Sequence, residues 1–331
     1  MKKFHHLVLA GLGILLVLSS GCLLSSTFKG PEILGGQEIS ARTLNLGHDT
    51  YMQYCMQCHG VNGDGKGPAA YGANPPPRNF QQGLYKFASV TSGELPTDKD
   101  LKHTIRFGLR GTPMLPWDIS DERLDAVTHY IKTFPDKIAT KETPNPWRGD
   151  GKAGTPQAVT VDPWGIEKAS EAIALGKKIY HGMAQCYTCH PAYVGFDEVN
   201  AATKELTGNE ISELRPDAHL SINQDSSYGH KFMPPDFTKN AIKSGGDIPS
   251  LYKILGAGVG GTTMPAWKGN LSTIEDEVAK EAESEKRLWA LAYYVNSLHR
   301  LKFDLGARKS FFDELNAKRQ TGNRKTAQLG R

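Results

Sequence analysis

Apolar positions recur at helical spacing in two well-separated stretches of the chain. Leu124, Val127, Ile131 and Phe134 fall on one face, as do Leu288, Leu291, Val295 and Leu298. Ser120, followed by Asp121 and Glu122, offers a side-chain oxygen and negative charge to the exposed amides at the start of the first helix. Between these stretches, residues 135–165 ("PDKIATKETPNPWRGDGKAGTPQAVTVDPWG") are rich in Pro, Gly and Thr and carry no helical period, which predicts an interdomain linker. At the N-terminus the apolar residues run without a break from Leu7 to Leu18, a pattern unlike either amphipathic face.

On either side of the linker the same order of features appears twice. A tyrosine-bearing segment leads into a cysteine pair in "GHDTYMQYCMQCH" (47–59) and "GKKIYHGMAQCYTCH" (176–190). A proline-phenylalanine stretch follows, "PPPRNF" (75–80) and "MPPDF" (233–237). Then comes a Gly-rich run into a methionine, "LKHTIRFGLRGTPMLPW" (101–117) and "LYKILGAGVGGTTMPAW" (251–267), whose Leu, Gly, Gly-Thr, Met and Trp match at one offset of 150 residues. The two amphipathic faces match at 164, so the second copy has gained 14 residues, for which the charged "TIEDEVAKEAESEK" accounts. The expectation is an all-α chain of two tandem helical domains, at 43–140 and 165–300. A spacer at 23–42, a linker at 141–164 and a basic tail at 301–331 complete the division.

Length and composition agree with this, since 331 residues with 39% hydrophobic and 22% charged positions suffice for two ordinary soluble domains. The net charge of +4 is uneven: residues 300–331 carry nine basic against three acidic side chains, leaving −2 on the rest. A nucleic-acid binder is therefore not expected. The tail reads as a solvated or disordered end, or more sharply as a patch for anionic lipid or a partner.

Two lysines before the apolar run, then small residues and Cys22, have the form of a secretory signal. "LSSGC" resembles the lipobox of bacterial lipoproteins, in which the cysteine is acylated; Ser19 stands where that pattern usually has an aliphatic residue. The rival is a retained membrane helix, because Leu7 to Ser26 is uncharged. Either reading places the body outside the cytoplasmic membrane, in the bacterial envelope facing the periplasm.

With Cys22 set aside, Cys55, Cys58, Cys186 and Cys189 form two Cys-x-x-Cys-His units ending in His59 and His190. Thiols three apart on a helical turn share a face, where they can add to the two vinyl groups of one haem while the next histidine turns to the iron. Zinc would want the cysteine pairs some 15–20 residues apart, a thioredoxin-like pair a β-α-β setting, and structural disulfides no histidine. The expected cofactors are two c-type haems.

Both halves resemble class I c-type cytochrome domains, small helical folds with an N-terminal haem-attachment motif and a C-terminal helix packed across it. The resemblance rests on the two motifs and on "CMQCHGVNGDGKGP" (55–68), in which it implies that the Pro68 carbonyl accepts from the imidazole of His59. "CHPAYVGF" lacks the Gly-x-Gly-Pro, so the partner of His190 stays open. "VNGDGKG" reads as a glycine turn rather than a calcium loop. The family also implies a methionine as second axial ligand, which raises the reduction potential. Met114 fits in the first half. In the second, Met264 matches Met114 in register, whereas Met233 falls at Pro75 and is the runner-up.

Met52, Met56 and Met183 read as packing residues, and His181, His219 and His230 as weaker axial rivals. Trp117 and Trp267 are read either as donors to a haem propionate or as partly buried core. Arg78 is read as a propionate partner or as an exposed loop residue. The resemblance implies a membrane-anchored one-electron carrier between redox protein partners, not an enzyme. A fixed subunit of a larger respiratory complex and a dihaem peroxidase-like enzyme are the alternatives.

Overall fold

The structure, a computed structural model, describes residues 27–149 and 151–329; the signal and Cys22 lie outside them. Two strands, β1 (Glu32–Leu34) and β2 (Gln37–Ile39), form an antiparallel hairpin, and all other regular structure is helical, as the all-α expectation requires. The hairpin falls within the expected spacer and inserts Leu34 and Ile39 into the first of two buried apolar clusters. Among the described residues no helix is long and apolar enough to cross a membrane.

The first cluster is built by α1 (Ala41–Tyr54), α2 (Met56–His59), α3 (Asp98–Phe107) and α4 (Asp121–Ile131). Ser40 caps α1 by accepting from the Thr43 amide, and Ser120 caps α4 by accepting from Arg123, as its sequence position anticipates. The expected face of Leu124, Val127, Ile131 and Phe134 is buried, with Ile131 ending the α-helix and Phe134 opening a 3₁₀ turn. Helices α1 and α4 cross at Gly47, where a β-carbon would collide with the carbonyl of Ala126 and the side chain of Tyr130.

The second cluster uses α5 (Ala169–Lys178), α6 (Phe196–Thr207), α7 (Ile248–Ala257) and α8 (Glu277–Arg300) in the same way. Its crossing glycine is Gly176, pressed against the carbonyl of Ala290 and the side chain of Tyr294. The tyrosine pairs Tyr51–Tyr130 and Tyr180–Tyr294 both have ring centroids 5.5 Å apart. Between Tyr180 and Cys186 the chain has two residues more than between Tyr51 and Cys55. A π-turn at Ile179–Met183 and Gln185 in the left-handed region (φ 45°) take up the surplus. Part of the 14-residue gain before the last amphipathic face lengthens α8 at its N-terminus, where Asp276 caps it.

The described residues of 141–164 contain no helix or strand but are bound to both halves. Trp147 is buried in the first cluster, and its carbonyl accepts from the Gly35 amide at 2.8 Å. Further on, Thr160 accepts from the Trp289 indole at 3.0 Å and Asp162 from the Tyr293 hydroxyl at 2.6 Å. The basic tail forms α9 (Leu305–Leu329). Leu315 is buried, and Arg319 donates to the Ala192 carbonyl at 2.9 Å, so this end is neither purely solvated nor disordered over its described side chains.

Candidate haem crevices

Each Cys-x-x-Cys-His folds as one tight turn closed by an amide-to-carbonyl bond from the histidine to the first cysteine, His59 to Cys55 at 2.9 Å and His190 to Cys186 at 2.8 Å. The first turn is α2; the second is a 3₁₀ turn at Cys186–Thr188. Burial beside Cys58 pushes the Cys55 thiol up to about 12, and burial does the same for Cys186. Metal-binding thiolates and exchanging dithiols need the opposite shift, so the environment suits uncharged thiols facing an apolar group. Among the described residues no three His, Cys, Asp or Glu side chains are grouped to hold a metal ion.

The histidines are held identically, and by the stretch whose role the sequence left open. His59 Nδ1 donates to the Arg78 carbonyl at 3.0 Å, and His190 Nδ1 to the Pro235 carbonyl at 3.0 Å. Phe80 stacks on His59 at 4.5 Å and Phe237 on His190 at 4.7 Å, both at 20° between planes. Asn79 and Asp236 brace the two loops by accepting from the amides two residues on. The Pro68 expectation is thereby corrected. The Gly-rich turn returns its amides to the carbonyls of Cys58 and His59, lying along the motif backbone rather than under the ring. Burial lowers both imidazole pKa values, that of His190 to about 4. The rings are therefore neutral, with Nδ1 engaged and Nε2 available to a metal.

The same equivalence corrects the alignment of Met233. Arg78 answers to Pro235 and Phe80 to Phe237, so Met233 stands at Pro76, not Pro75, and its side chain is 63% exposed. The methionine loops are superimposable in their bonding. Leu109 donates to the Met114 carbonyl and Val259 to that of Met264; Thr112 and Thr262 receive the methionine amides at 3.1 and 3.2 Å. Gly108 (φ 66°) and Gly258 (φ 76°) open these loops with backbone that passes against the methionine carbonyls, where a β-carbon has no room.

In the first half Cys55, Cys58, His59 and Met114 line one cavity, mostly apolar and open at its mouth. Trp117 lines it too, half-buried with its ring 5.5 Å from Tyr54. The Tyr85 hydroxyl is buried on its wall without a hydrogen-bond partner among the described residues. A planar apolar group with thiol-reactive vinyls, an iron and polar edge groups fits this donor set and the orphaned hydroxyl. In the second half Cys186, Met183, Met264 and Trp267 pack against the buried cluster. Of the axial rivals, His181 uses both ring nitrogens, donating to Lys177 at 2.8 Å and accepting from the Tyr193 amide at 3.2 Å. His219 is exposed. His230 lines the cavity of the first half, not the second, a placement no spacing in the sequence signals.

Residues 42–131 match the family described as cytochrome c oxidase, cbb3-type, subunit III. A chain of the reducing HAO-like protein complex of Kuenenia stuttgartiensis is similar over 76% of this chain and 95% of its own, at 28% identity and a TM-score of 0.55. No curated protein matches the chain. With the helical fold, these similarities support an electron-transfer cytochrome carrying covalent haem c.

Proposed function

We propose that the chain is a dihaem cytochrome c that passes single electrons between redox protein partners. The observation that carries the reading is the duplicated imidazole mount: two Cys-x-x-Cys-His turns, each with Nδ1 on a loop carbonyl and a phenylalanine under the ring. Cys55 and Cys58 would hold one haem with His59 and Met114 as axial ligands, and Cys186 and Cys189 the other with His190 and Met264. A haem so held supplies a one-electron iron couple. Held by a histidine and a methionine each, the two irons would offer no open position to a substrate. The residues therefore fix the ligand field and bar side chemistry rather than bind a reactant.

Cys22 would carry lipid after export, tethering the body on the periplasmic side of a membrane, with a retained helix as the other form of anchor. Donor and acceptor would be redox proteins, such as a quinol-oxidising complex or dehydrogenase on one side and an oxidase, reductase or soluble carrier on the other.

A second reading, a fixed cytochrome subunit of a membrane complex, draws support from the likeness to an oxidase subunit family and to a chain of a protein complex. Peptide mass spectrometry of the mature protein tests the first claim: one haem on each cysteine pair is expected, and a single haem overturns the dihaem reading. Low-spin ferric spectra for both haems are expected. A high-spin ferric haem, or one that binds cyanide at once, would instead favour the peroxidase-like alternative. Retention of partner subunits after mild detergent extraction would favour the fixed subunit over the shuttle.

A further inference from the structure

His59 is 19 residues from its carbonyl partner, whereas His190 is 45 from its own. The longer connection holds α6 and an irregular stretch over 208–232, which packs on the second cluster through Ile211, Leu214 and Ala218 and then sends its tip to the first half. Paired amides and carbonyls of Gln224 and Phe232 close the base of its tip. From that tip the Tyr228 ring lies 3.5 Å beneath the Arg78 guanidinium, and the Tyr228 hydroxyl donates to the Gly260 carbonyl at 2.7 Å. Gly260 in turn donates to the Lys86 carbonyl at 3.1 Å. Further along, Ala241 faces Gly111, in the loop that leads to Met114, where an added β-carbon would lie 3.4 Å from its methyl group.

This contact carries two second-half side chains, His230 and Lys243, to the wall of the first-half cavity, which Arg78, Tyr85 and Lys86 also line. Three cations thus meet at one cavity, and among the described residues none of them has a carboxylate within ion-pair distance. Burial, then the nearby charges of Lys243 and Arg78, push Lys86 down to about 8, and burial also lowers Lys243. Cations gathered out of water without counter-charge destabilise one another unless an anion joins them. The Tyr85 hydroxyl, buried beside them without a partner among the described residues, is a ready donor to the same anion.

We propose that Arg78, Tyr85, Lys86 and Lys243 form a dicarboxylate site that takes the two propionates of the first haem, so that the second half completes the cofactor site of the first. This rests on the reading of Cys55, Cys58 and His59 as a haem mount. Its consequence is that the potential of the first haem depends on a lysine from the other half. Neutralising Lys243 removes a positive charge beside the propionates and favours the ferric form.

The test uses the full-length, haem-loaded protein with Lys243→Gln, Lys243→Glu, Lys243→Arg and, as a charge-loss control outside the cavity, Lys253→Gln. Redox titration should show one haem falling in midpoint potential in Lys243→Gln and further in Lys243→Glu. Lys243→Arg should restore most of the shift, and Lys253→Gln should leave both haems in place. The haem that moves should be the one whose methionine-sulfur band is lost in Met114→Ala. Unchanged potentials in the Lys243 variants, with haem present on the Cys55–Cys58 peptide, would overturn the proposal alone. Absence of haem from that peptide would overturn the mount reading and this proposal with it.

Discussion

Phe237 lies 4.7 Å from the His190 imidazole and 20° off its plane, the same relation that Phe80 has to His59. The aromatic face fixes the azimuth of the ring while the loop carbonyl fixes its tautomer. Phe237 is almost fully buried, so Phe237→Ala should cost about 3–5 kcal/mol of stability through the cavity it leaves. Phe80 is only half-buried, and Phe80→Ala should cost less. Denaturant unfolding of the haem-loaded variants measures both; equal losses would show that burial does not rank them.

Helix crossings that admit only glycine predict a sharper effect. Gly47→Ala and Gly176→Ala each drive a methyl group into a helix carbonyl, and each should lose about 1–3 kcal/mol or more. Thermal melts would register this as a lowered midpoint. An unchanged melt would mean that the helices part without penalty.

The matched methionine loops predict that Met264→Ala abolishes the methionine-sulfur charge-transfer band of the second haem, while Met233→Ala leaves it intact. Met233 is solvent-exposed and stands at the place of a proline in the other half. Near-infrared absorption of the ferric variants decides the matter, and the reverse outcome would hand the ligand role to Met233.

His181 gives the protein a pH dependence of definite sign. Burial holds its imidazole down to about 4, from an ordinary value of 6.5. Between these values the unfolded chain binds a proton that the folded chain refuses. Its stabilisation is complete above pH 6.5, falls as the pH drops toward 4, and is then lost, a change of about 3 kcal/mol. In His181→Gln the loss of stability between pH 7 and pH 4.5 should shrink accordingly. Urea midpoints at the two pH values measure it; an unaltered difference would clear His181 of the effect.

What the sequence made legible was side-chain chemistry at fixed spacing. Cys55 and Cys58 with His59, Cys186 and Cys189 with His190, and the Gly-Thr-x-Met runs to Met114 and Met264 all carry their signal in residue identity. The acceptor of each histidine did not, because a backbone carbonyl has no side-chain signature. Pro68 was therefore expected where Arg78 serves, although the repeated Pro-Pro and Phe already marked the loop. The π-turn before Cys186 was hidden for a related reason: two extra residues in a helix leave the flanking apolar pattern intact. The placement of His230 and Lys243 depends on the path of the irregular chain between α6 and α7, which hydrophobic periodicity does not encode.

The segment between the halves has a mechanical consequence. Anchored by Trp147 at one end and by Thr160 and Asp162 at the other, it acts as a splint rather than a hinge. A cytochrome on a slack tether can swing, trading distance for diffusion, and its transfer rate then follows linker length. Among the described residues the segment between the crevices is pinned at both ends. On the dihaem reading, charge arriving in one half would cross a gap that these contacts help to hold, so solvent viscosity should leave the internal step untouched and slow only the encounters at either end.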